Sequence, residues 1–133
     1  MQLLLSTGRE VGVGNIDRDA DANIHAGAAY MRRLADAYVN DPNIDATNRV
    51  LMTFAAYNAG PGSLVNSRNR AKRDGFDPNV WFDNVENEIA KTVGAETVTY
   101  VGNIYKYYVG YSLLLERRAA DNAALQKFNF GPR

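Results

Sequence analysis

The 133-residue chain contains no cysteine, which excludes disulfides and thiolate-held metals. It has one histidine, His25, so a Ser–His catalytic pair has a single candidate base. It lacks an excess of either charge: fifteen Lys and Arg balance fifteen Asp and Glu. That balance argues against dedicated nucleic-acid or polybasic membrane binding. Long hydrophobic runs are missing too. The nearly apolar stretch at 107–115 is about half of the ~20 residues a bilayer span needs. Met1-Gln2-Leu3-Leu4-Leu5 has neither the basic start nor the long apolar stretch of a signal peptide. What remains is 46% hydrophobic and 23% charged, ordinary for a globular chain. At this length roughly two-thirds of the unfolded surface can be buried, so a single domain over 1–133 is expected.

The pattern is one of helices and punctuation, with no strand-like alternation; the expected class is all-α. Asp21 is a plausible N-cap for a helix over 23–39, where Ile24, Ala28, Met31, Ala35 and Tyr38 recur at helical spacing. A second helix starts near Asp45 or Thr47 and stops at Gly60-Pro61-Gly62. A short basic helix over 63–74 ends at Gly75. Asp77-Pro78 suits an N-cap followed by the first residue of a helix carrying Val80, Trp81, Val85 and Ile89. The last helix runs from about Ala95 past Leu115, with Val98, Val101, Tyr105 and Tyr108 in one stripe and Tyr100, Ile104, Tyr107, Tyr111 and Leu114 in the next. Its apolar arc of roughly 200° predicts a central core helix with Tyr105 and Tyr108 mostly buried.

Several motifs fall to simpler explanations. Asp17, Asp19 and Asp21 have the spacing that opens a calcium loop, but Ala22 and Ala28 stand where that loop needs Gly and Glu. Acidic residues at a helix start explain them better. Arg68, Arg70, Lys72 and Arg73 read as a solvated helix face, having no interleaved aromatics. His25, beside Ile24, reads as structural. Gly60-Pro61-Gly62-Ser63 lacks the lysine of a phosphate loop.

The segment Ala55-Ala56-Tyr57-Asn58-Ala59-Gly60-Pro61-Gly62 is different. It sets a Tyr and an Asn at a helix end, just before a forced turn. A Tyr offers a flat ring and a hydroxyl; an Asn offers two donors and an acceptor. Those groups suit an uncharged ligand rich in hydroxyls and amides, such as an N-acetylated sugar, although a helix stop with a capping Asn needs no ligand.

These eight residues match the signature of the soluble lytic transglycosylase domain, a lysozyme-like family that cleaves peptidoglycan, and other segments resemble that family in the same order. Met1-Gln2 with Ser6-Thr7 is similar to its Met-Gln-Leu-Met-Pro-x-Thr motif without the proline. Asn23-Ile24 with Ala26-Gly27-Ala28 and Tyr30-Met31 resembles its Asn-Ile-x-x-Gly-x-x-Tyr-Leu helix. Glu96-Thr97, Tyr100-Val101 and Asn103-Ile104 resemble its Glu-Thr-x-x-Tyr-Val helix. The matches cover residues 1–111, and the block from Asp77 to Glu86 is similar to an insert of the membrane-bound F-type branch.

The resemblance implies a lysozyme-like helical fold, peptidoglycan strands as partner, no cofactor and no metal, and a place in the periplasm or at the cell wall. It carries glycan contacts onto Gln2, Tyr57, Asn58, the Ala59 backbone and Tyr100, with Glu96 as a secondary candidate. In the family one Glu protonates the oxygen between N-acetylmuramic acid and N-acetylglucosamine, then deprotonates the C6 hydroxyl to close a 1,6-anhydro ring, the substrate's acetamido group standing in for a second carboxylate. That Glu precedes the Met-Gln motif, so the catalytic acid is expected to be missing from these residues, with Glu10 as the one weak substitute. The expectation is therefore a truncated, inactive glycan-binding part. A non-catalytic muropeptide-binding or assembly module and a helical scaffold stand as alternatives. The absence of one helix would expose apolar surface for a second copy to cover, so a homo-oligomer is also expected.

Overall fold

Aspartates start the two helices that carry the first half of the fold. The computed structural model describes residues 4–129 apart from 15 and 18, and only the backbone of 128 and 129. The elements are α1 (Leu5–Glu10), α2 (Ala20–Tyr38), α3 (Ala46–Ala59), α4 (Pro61–Arg73), a kinked segment (Trp81–Val85), α5 (Glu86–Thr92) and α6 (Ala95–Asn129). No strand occurs among the described residues, as the all-α expectation requires. The N-cap of α2 is Asp19, whose carboxylate accepts from the Asp21 amide at 2.9 Å, and not Asp21, which sits in the first turn. Asp45 caps α3 by accepting from the Asn48 amide at 2.7 Å and from its side chain at 2.8 Å. These bonds hold the Asp45 carboxyl below its usual range.

The chain divides into two units, residues 1–100 and 101–133. In the first, α3 packs on both α2 and α4, and α5 packs on α4. Leu34 of α2, Leu51 and Met52 of α3, Leu64 of α4, Trp81 and Ile89 are buried together. Asn48 serves twice, since its Oδ1 accepts from the Trp81 backbone amide at 2.8 Å. The core-facing stripe of α2 is Ala26, Gly27 and Leu34; the expected stripe is rotated from it. Ile24 is 59% exposed, and Ala28 and His25 also face solvent. His25 therefore does not pack as a core residue, because the small Ala26 and Gly27 are what let α2 approach its neighbours.

Two further expectations are corrected. Asp77-Pro78 does not start a helix. Asp77 accepts from the Asn79 amide at 2.8 Å, and Asn84 closes the loop by accepting from the Asp77 amide at 2.9 Å. Phe82 then adopts extended values and Asp83 a positive φ of 59°, a region where Asp is better tolerated than most side chains. Only from Glu86 is the helix regular. The second correction concerns α6. Val101 is fully buried and Tyr105 half-buried, but Tyr107 and Tyr108 are 69% and 65% exposed. A wide apolar arc states how much a helix can bury, not how much it does. No helix of the described residues is long and apolar enough to cross a membrane.

Candidate functional site

The end of α3 is fixed by backbone geometry. Gly60 has φ 89° and ψ 146°, and space around it is open, so the conformation itself demands glycine there. Pro61 follows at the first position of α4, where its missing N–H costs nothing. Two helices thus meet across one residue, and Tyr57, Asn58 and Ala59 occupy the last turn before the corner.

Three tyrosines gather near that turn. The Tyr30 ring of α2 lies 5.9 Å from the Tyr57 ring, tilted by 59°, an edge-to-face-like arrangement. Burial, then the neighbouring Tyr30, pushes the Tyr57 phenol above its ordinary range; burial, then Tyr57, does the same to Tyr100. The Tyr57 hydroxyl is screened from solvent and has no hydrogen-bond partner among the described residues. A buried polar group in that condition costs about 1–3 kcal/mol; the indole Nε1 of Trp81 in the core shares it.

Beside it, the Thr97 hydroxyl donates to Asn58 Oδ1 at 2.8 Å. Thr97 is buried and Asn58 exposed. With its oxygen committed, Asn58 keeps its Nδ2 group as a donor toward solvent. The bond ties the last turn of α3 to the first turn of α6 and so sets Tyr57 and Asn58 close to Tyr100. Tyr57, Asn58, Ala59 and Tyr100 are thereby brought to one place.

Other candidates lie elsewhere or beyond reach. Gln2 falls outside the described residues. Glu96 is exposed on the opening turn of α6, and its neighbour Thr97 makes the bond the motif provides. Glu10 ends α1, where Arg33 of α2 bonds its backbone carbonyl at 3.2 Å and its carboxylate at 3.1 Å. Sequence reasoning passed over Tyr30 and Thr97, although both stand inside the motifs; which motif residue meets which across helices is not a property of spacing along the chain.

The basic run of α4 also departs from expectation at one residue. Arg68 is not a solvated charge but a bracket: it donates to the Pro78 carbonyl at 2.8 Å, to Asn79 Oδ1 at 2.7 Å and to the Tyr38 carbonyl at 3.4 Å. It lines an open cleft of about 290 Å³ with Asp41, Lys72 and Asn79. None of the three tyrosines lines that cleft, and its guanidinium is already satisfied by the loops it joins.

Comparison with known proteins places the chain in a family. The family model described as Transglycosylase SLT domain matches residues 1–80. The chain is 36% identical over 121 residues to membrane-bound lytic murein transglycosylase F 1 of Alkalilimnicola ehrlichii, covering 81% of this chain and 24% of that protein. It is 31% identical over 121 residues to membrane-bound lytic murein transglycosylase F of Pseudomonas fluorescens, with the same coverage. For the protein of that name from Vibrio campbellii the identity is 33% over 122 residues, covering 81% of this chain and 22% of that protein. The chain spans about a quarter of the length of these curated relatives.

Proposed function

For a chain that belongs to the transglycosylase SLT domain family, we propose that residues 1–100 form the sugar-binding wall of a peptidoglycan-cleaving site. The observation that carries the reading is the Tyr57 hydroxyl, buried without a partner beside Tyr30 and Tyr100. A sugar hydroxyl or acetamido oxygen would complete it. The Asn58 Nδ2 group and the Ala59 backbone add fixed hydrogen-bonding groups at the same helix end, and the tyrosine rings offer flat faces to a pyranose. Gln2 joins the wall by resemblance to the family's Met-Gln motif, and Glu96 is its secondary member.

The wall orients; it does not protonate. Cleavage needs a carboxylic acid within about 2.6–3.2 Å of the leaving oxygen; amides and tyrosines cannot serve, and Glu96 resembles a family position that shapes the cleft and is not the acid. On this reading these residues by themselves bind glycan and leave it intact. The working location is the periplasm or cell wall.

An amide-resolved titration with chitooligosaccharides or muropeptides tests the reading. Tyr57, Asn58 and Tyr100 should shift most, and weakly, because sugar hydroxyls exchange water for protein contacts with small net gain. No shift at those residues up to millimolar sugar would favour the helical scaffold. In parallel, the chain should release no anhydromuropeptides from peptidoglycan. Cleavage that Glu10→Gln abolishes would make Glu10 the catalyst.

A further inference from the structure

The second unit carries a surface that the glycan reading does not use. Along α6, positions 104, 107, 111, 114, 118, 121 and 125 alternate steps of three and four, the spacing of a coiled-coil seam. They are Ile104, Tyr107, Tyr111, Leu114, Arg118, Asp121 and Leu125. Tyr111, Leu114 and Leu125 are 66%, 57% and 61% exposed, and the flanking Leu115 is 66% exposed. Those four side chains present on the order of 500 Å² of apolar surface, as much as the largest patch of a typical monomer. The stems of Arg118 and Asn122 bring each copy toward the ~800 Å² that a stable pair contributes per partner.

The charged layer identifies the occupant. Arg118 and Asp121 are exposed and have no ion-pair partner among the described residues. Against a parallel, in-register copy, Arg118 would face Arg118 and Asp121 would face Asp121, which repels. Against an antiparallel copy, one register sets Arg118 opposite Asp121 twice, once on each side of a two-fold axis. That same register sets Leu114 opposite Leu125 on both flanks and Arg117 opposite the uncharged Asn122. The seam is self-complementary, as an isologous interface must be. We propose that α6 pairs antiparallel with α6 of a second copy of this chain, overlapping over residues 110–129, with two Arg118–Asp121 ion pairs at its centre. The pairing rests on unit two alone and stands whether or not unit one binds sugar. The central ion pairs fix orientation and register, the role for which such groups are best attested.

Sedimentation equilibrium over micromolar to sub-millimolar concentrations tests this on the full 133-residue chain. The wild-type chain should dimerise reversibly. Arg118→Glu and Asp121→Arg each place like charges at both central contacts and should weaken association at least ~10-fold. The double variant R118E/D121R restores opposite charges only in the antiparallel register, and should dimerise within about threefold of wild type. Arg118 and Asp121 are both exposed, so far-UV circular dichroism should be unchanged. A wild-type chain that stays monomeric throughout overturns the proposal and leaves the face to another part of a longer protein. Single variants as tight as wild type, or a double variant as weak as the singles, overturn it equally.

Discussion

The hydroxyl of Thr97 donates to Asn58 Oδ1 at 2.8 Å across thirty-nine residues of sequence. It joins the last turn of α3 to the first turn of α6, and therefore the Tyr57-Asn58 pair to Tyr100. Thr97→Val keeps the shape and removes the donor. We expect a loss of about 1 kcal/mol by urea unfolding, with a larger relative loss of sugar affinity, because Asn58 would then be free to rotate. A variant with full stability and unchanged amide shifts at Asn58 would show that the bond does not organise the site.

Tyr57→Phe separates binding from stability. The phenol oxygen is buried without a partner, so its removal should leave the free chain as stable as before or raise it by up to about 1 kcal/mol. Sugar binding should fall roughly tenfold, the worth of one hydrogen bond to ligand. A clear loss of stability in the free chain would mean that the hydroxyl already has a partner.

Gly60→Ala should cost about 1–3 kcal/mol. Its φ of 89° lies where a Cβ is strained although no atom crowds it. The chemical-denaturation midpoint should drop with an unchanged slope.

Two positions of α6 should answer truncation differently. Val101 is fully buried, and Val101→Ala should cost about 1–3 kcal/mol. Tyr108 is 65% exposed, and Tyr108→Ala should stay within about 0.5 kcal/mol when measured at low protein concentration.

Stability should decline at both ends of the pH scale. Asp45 has its carboxyl lowered chiefly by the bond from the Asn48 amide, and Asp41 by the bond from the Asn43 amide, both from an ordinary 3.8. A lowered folded-state value means the carboxylate contribution is present above about pH 4 and is lost as pH falls through the folded value. Tyr57 and Tyr100 are raised above 10.0, chiefly by burial. Their contribution is whole below pH 10 and is lost as pH rises through the folded values, since the unfolded chain ionises first. Tyrosinate absorbance followed against pH should show two residues ionising late; eight ordinary tyrosines would contradict the buried cluster.

The sequence by itself determined the helical class, the corner at Gly60-Pro61 and the place of Tyr57, Asn58 and Tyr100 in the family's motifs, because spacing, caps and glycine φ preferences act within a few residues. It placed the start of α3 near Asp45 or Thr47 for the same local reason, and the cap is Asp45. Tertiary structure decided the rest. Which face of α2 is inside depended on the small Ala26 and Gly27 meeting neighbours. Whether 77–80 is a helix or a loop depended on Asn84 reaching back seven residues. Arg68 became a bracket because the end of α2 and the loop at Pro78 both present carbonyls to it. The same gap explains α6: periodicity reports the apolar surface a helix offers, while burial needs another surface in the right place, and that is a relation between elements and not a property of either one.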